Sequence, residues 1–129
     1  MIVDITNEVV NRIITDFPTV EVLTEYPQTQ KKFPCIVITE MSNNADPFTK
    51  DTSGYKYSDV SIEVNIFTTG NTRMSKAKKL RNEIDVILSD EYGMLRAFSD
   101  RTPNVDTDIY RYTMRFNGLV NKDREIFRG

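Results

Sequence analysis

The sequence predicts an α+β fold, a mostly antiparallel sheet of about four to five strands with two main helices packed on one face. Three observations carry this expectation. From Ser58 to Phe67 the chain alternates strictly, with Val60, Ile62, Val64 and Ile66 on one side and Asp59, Ser61, Glu63 and Asn65 on the other. A period of two over that length marks a strand with one buried and one wet face. Two other segments repeat their apolar residues at helical spacing. Finally, strands follow one another with few helices between them, which favours antiparallel neighbours over parallel crossovers.

Taken in order, Ile2, Ile5, Val9, Ile13 and Phe17, flanked by Val10 and Ile14, form the first helical set. They cover about half of a helical wheel, wider than the ~100° stripe that one contact needs. That width suits a helix deep in a small core, or one that also touches a second helix or another subunit. Asp4 fits the positive end of this helix, and Pro18 closes it near Phe17. Val20, Val22 and Leu23 make a short strand ended by Tyr26-Pro27, and Gln28–Lys32 is a polar loop. A strand then begins at Cys35, because Pro34 can precede a ladder but not donate within it. Its apolar residues on both faces place it between layers, with Cys35 as a small core residue.

From Ser42 to Gly54 apolar content collapses and turn formers dominate, with Phe48 as the large apolar group. A polar loop of this length is either a loose hairpin tip or a segment that orders on a partner. The alternating stretch Tyr55–Thr69 follows and is the expected central strand. It spans roughly 35–45 Å and contains no Pro. After Gly70, Asn71 or Thr72 is the expected cap of a helix with Ala77, Leu80, Ile84, Ile87 and Leu88 on one stripe, stopped at Gly93. A hairpin closes the fold: Met94–Arg101, a Pro-containing connection, then Asp108–Asn121. In its second strand Tyr110, Tyr112, Met114 and Phe116 share one face, and Arg111 and Arg115 share the other. Beside the central strand, Arg111 and Arg115 are expected to pair with Asp59 and Glu63, setting register at about 0–1 kcal/mol per pair.

Composition narrows the function. At 129 residues the chain reads as one domain, and no stretch approaches a membrane span. No basic segment leading into an apolar run opens it, so secretion is not expected. The single cysteine, Cys35, allows no internal disulfide and fits a reducing compartment. There is no histidine, which removes Ser-His and Cys-His nucleophile pairs and most zinc sites. No Walker-type loop, GxGxxG or GxSxG occurs. The nearest enzyme-like arrangement is Asp59 or Asp46 with Glu63-Val64-Asn65, reminiscent of small Mg-dependent nucleases. Here Asn65 stands where their lysine is needed, and a polar strand face accounts for the same residues.

The net charge of −2 argues against binding nucleic acid over the whole surface. Charge is uneven, however. Residues 1–30 hold five acids against Arg12, whereas Arg73, Lys76, Lys78, Lys79 and Arg81 crowd one helix. Such polarity suits either head-to-tail docking of identical copies or a plain solvated surface.

The layout resembles the tail terminator (tail completion, head–tail joining) proteins of long-tailed bacteriophages. The likeness runs through the amphipathic first helix, Phe33-Pro34-Cys35-Ile36-Val37-Ile38, the Asn- and Asp-rich loop, and the alternating strand Tyr57–Phe67. It continues through the Lys-rich helix and Tyr110-Arg111-Tyr112. The resemblance implies a non-enzymatic ring without cofactor or metal, usually a hexamer, that caps the tail tube, ends its growth and docks the head connector. It implies a virion location at the head-proximal end of the tail, synthesis in the host cytoplasm, and DNA passing through the lumen without sequence-specific binding. Another neck protein of the same virion is the alternative station. Ile5, Val9, Phe48, Arg73, Lys76, Ile126 and Phe127 are the candidate contacts to a neighbouring copy, the tail tube protein or the neck.

Overall fold

Alternation and helical period each build their expected element, and the apolar faces then dictate how the layers meet. The computed structural model describes residues 2–27, 32–45, 50–51, 54–55, 57–104 and 106–127, with backbone alone at 50–51 and 54–55. In chain order the elements are α1 (Thr6–Asp16), β1 (Glu21–Leu23), β2 (Cys35–Ala45), β3 (Lys50–Asp51) and β4 (Gly54–Tyr55). There follow β5 (Ser58–Thr68), α2 (Arg73–Asp85) with a π-helical continuation over Val86–Glu91, β6 (Leu95–Thr102) and β7 (Tyr110–Val120). Five strands form one mixed sheet in the order β1-β2-β5-β7-β6. Only β1 and β2 run parallel there, and β3 and β4 pair by themselves.

The central strand is β5, as its unbroken alternation predicts. Ile62 faces Phe116, Val64 faces Met114 and Ile66 faces Tyr112, while Ile36 and Ile38 of β2 sit beside Ile66 and Val64. Opposed residues of a ladder project to the same side, so three strands present one aliphatic and aromatic face. Both helices cover it. Val9, Val10 and Ile13 of α1, and Ala77, Leu80 and Ile84 of α2, join those strand residues in a single buried cluster. Tyr110, Tyr112, Met114 and Phe116 all lie buried on this side, as their shared parity requires.

Several local expectations change. Asp4 does receive the Thr6 N–H at 2.8 Å, at the start of α1. The wide apolar arc of α1, in contrast, is used largely inside the protomer. Ile5 and Val9, expected at an interface, are buried in its own core, because the helix must fill the space above the sheet on both of its flanks. Ile2 and Ile14 are the members of the set left exposed. At the start of α2, the Thr72 carbonyl accepts the Lys76 N–H at 2.9 Å, but no side chain caps the helix. Gly93 ends the helical run at φ 79°, a conformation that disfavours side chains.

The stretch expected as one polar loop is partly strand. β2 continues through Asn43 and Asn44, opposite Val60 and Asp59, because the long β5 offers them a ladder, and the short β3–β4 pair follows. Phe48 and Asp46 lie outside the described residues. The segment after β7 folds back on its own domain. Val120 and Ile126 form an antiparallel bridge, Phe127 N–H donates to the Leu119 carbonyl at 2.8 Å, and Arg124 pairs with Glu8 at 3.1 Å. Ile126, a sequence candidate for contact with a neighbour, is therefore packed against the domain's own core. Among the described residues no helix is long and apolar enough to cross a membrane.

Candidate oligomer and partner interface

The face of the sheet turned away from the helices grades from a sealed end to an open one. At the sealed end, Cys35, Val37 and Phe67 form a second small core with Leu23, Phe33 and Ile109. Burial, together with the charge of Glu21, pushes the Cys35 thiol up to about 11, so it stays protonated and unreactive at neutral pH. The Tyr26 ring meets Phe67 edge-on at 6.5 Å. The Arg111 guanidinium lies 5.7 Å from the Tyr26 ring and 5.5 Å from that of Phe67. Arg111 thus does not pair with an acid as expected. The register puts it opposite Phe67, and it puts Asp59 opposite Leu119.

In the middle of this face Asn65 is fully buried and joins four hydrogen bonds. Its amide nitrogen donates to Tyr26 Oη and to Glu63 Oε1 (2.7 Å). Its oxygen accepts from Arg111 Nε at 2.9 Å and Thr113 Oγ1 at 2.6 Å. Tyr26 Oη also donates to Glu63 Oε1 at 3.0 Å, and Arg115 Nε donates to Glu63 Oε2 at 3.0 Å. The Glu63–Arg115 pair is the expected one, formed by directly opposed residues.

Burial pushes the Glu63 carboxyl up, but hydrogen bonds from Asn65, Tyr26 and Arg115 outweigh it and hold the group below the ordinary carboxylate range. Burial and the neighbouring carboxylate push the Tyr26 hydroxyl up, keeping it a donor. A carboxyl lowered in the folded state stabilises above its unfolded pKa, and that stability disappears as pH falls through the folded value. Melting temperature should therefore fall as pH drops below about 4.5, and Glu63→Gln should flatten this part of the acid limb. Equal slopes for the two proteins in a pH 7-to-3 melting series would contradict the assignment.

At the open end the sheet carries exposed apolar groups. Met41 is the extra residue of a β-bulge in β2, and Ala97 is the extra residue in β6. The second bulge shifts parity, so that Leu95, opposite Asn117, and Phe98, opposite Arg115, emerge on the same side. Met41, Leu95 and Phe98 are 48%, 69% and 41% exposed. Met41 and Phe98 border a shallow depression of ≈ 380 Å³ whose polar members include Ser61 and Asn117, hydrogen-bonded to each other at 2.7 Å. The Arg115 guanidinium lies 5.3 Å from the Phe98 ring. A period-two reading misses this grouping, because residues three apart share a face only across a bulge.

The remaining sequence candidates are dispersed. Arg73 and Lys76 stand on the first turn of α2, where Arg73 donates to the Gly70 carbonyl at 3.0 Å. The exposed Phe127 ring meets Tyr57 at 5.8 Å, close to Ile126. Asp59 and Glu63 do not converge: four residues along a strand separate them by about 13 Å, and two ligands of one Mg²⁺ must lie within about 4 Å of each other. Among the described residues no group of three or more His, Cys, Asp or Glu is placed to hold a metal ion. Compared with models of known protein families and with curated proteins, the chain matches none.

Proposed function

We propose that the protein is a non-enzymatic, ring-forming subunit of a long-tailed phage virion, a tail terminator whose hexamer caps the tail tube and receives the head connector. The observation that carries this reading is the open sheet face. Its polar centre is a closed set of mutually satisfied groups around Asn65, and its far end exposes Met41, Leu95 and Phe98 beside Arg115. A surface of that kind suits docking on another protein, with apolar anchors and an arginine at its edge. Reaction chemistry would instead favour titratable groups aimed into a cleft. With a net charge of −2, a ring of such subunits would bind few phosphates per copy, so DNA passing its lumen would slide.

The test is a capping assay with the tail tube protein of the same phage. Added to polymerising tubes, the protein should halt growth and appear at one end of each tube in negative stain. Tubes that lengthen at an unchanged rate, with bare ends, would overturn the reading.

A further inference from the structure

The charges on α2 oppose its own dipole. A helix favours acids in its first turn and bases in its last, yet α2 has no acid at its start and neither α2 nor its π-helical continuation has a base at its end. Arg73, Lys76, Lys78, Lys79 and Arg81 fill the first half, and Glu83, Asp85, Asp90 and Glu91 fill the second. Lys76, Lys78 and Lys79 are exposed and form no ion pair among the described residues. Met74 stands exposed among these cations, one turn before Lys78. Roughly 15 Å further along the helix, a cleft of ≈ 460 Å³ opens between α1 and the end of α2. Phe17 and the half-exposed Val86 line it beside Asp16, Glu83 and Glu91, while the cation there, Arg12, is already paired with Asp16 and Glu91.

We infer that these two surfaces are partners between copies: the cationic first half of α2, with Met74, seats on the carboxylate-rimmed cleft around Val86 of the next copy. This rests on the reading of the protein as a ring subunit, and it names the contact that closes the ring. A two-fold dimer through either patch would set like charges together, whereas the complementary pair is head-to-tail. Repeated, such a contact closes into a ring or extends as a filament. Within the protomer Asp85 already pairs with Arg96 and Glu91 with Arg12, so the charges left for the neighbour to compensate are the lysines at the start of α2 and Glu83 on the cleft rim.

The test is a charge swap read by native mass measurement, with melting temperature as the folding control. One variant carries Lys76→Glu, Lys78→Glu and Lys79→Glu, and the other carries Asp16→Lys and Glu83→Lys. All five positions are exposed, and the Arg12–Asp16 pair that Asp16→Lys breaks is a partly exposed one worth about 0–1 kcal/mol, so both variants should keep a cooperative melt close to wild type. Each alone should self-associate about 100-fold more weakly than wild type. An equimolar mixture should reassemble into rings that alternate the two, because every interface then joins opposite charges. Wild-type rings with both variants assembling normally would overturn the inference alone, and a monomeric wild type would overturn the ring reading with it. Normal assembly of the lysine variant, with duplex DNA retained by wild type but not by the variant, would mark the lysines as a phosphate-binding strip, also overturning the inference.

Discussion

Ile62→Asp is expected to leave no cooperatively folded protein at room temperature. Ile62 is fully buried at the middle of β5, opposite Phe116, beneath the layer formed by both helices. An aspartate there finds an aliphatic surround. Ionised, it is an unpaired buried charge; protonated, it is an unsatisfied polar group in a site shaped for isoleucine. Either state costs roughly 4 kcal/mol or more, against the ~5–15 kcal/mol net stability of a typical domain. Asp59→Asn, three residues away on the exposed side of the same strand, is the control and should shift stability by under about 0.5 kcal/mol. Circular dichroism melts distinguish the two outcomes, and a soluble, sharply melting Ile62→Asp protein would contradict the facing of β5.

Asn65→Ala should be the most damaging change on the opposite face, at about 2–4 kcal/mol. Alanine removes one side chain but strands several partners. Thr113 loses its acceptor, Arg111 loses the bond that fixes it between two rings, and Glu63 loses a donor inside a partly covered site. Urea denaturation should show this as a lower midpoint with an unchanged slope. In a double-mutant cycle, Asn65→Ala with Thr113→Val should be less damaging than the sum of the two, since both act on one network. Strict additivity would mean that the bonds are independent and that Asn65 is no hub.

The sequence makes the helix-facing side of the sheet legible, because that side depends on local alternation. Val60, Ile62, Val64 and Ile66 declare their own side, and Tyr110 to Phe116 declare theirs. The opposite side depends on what the rest of the chain lays across it. Phe67 has the parity of the polar set yet is buried, because Tyr26, which reads only as a strand terminus, and Phe33, which reads only as the entry to the next strand, both lie against it. Asn65 reads as a wet residue for the same reason. The apolar opening is hidden more deeply, since the bulges at Met41 and Ala97 change parity where no Gly or Pro announces them. The charge polarity of α2 is visible in the letters. The α1–α2 cleft that gives it a counterpart is not, because Asp16 and Glu83 are far apart in sequence.

Native mass measurement of the unmodified protein tests self-association most directly. At the highest concentration the protein tolerates, a hexamer should dominate the spectrum, and if copies meet through the inferred pairing of opposite charges, subunits should be released as salt rises. A single monomeric species across the whole concentration range, unchanged when tail tubes are added, would contradict the ring reading.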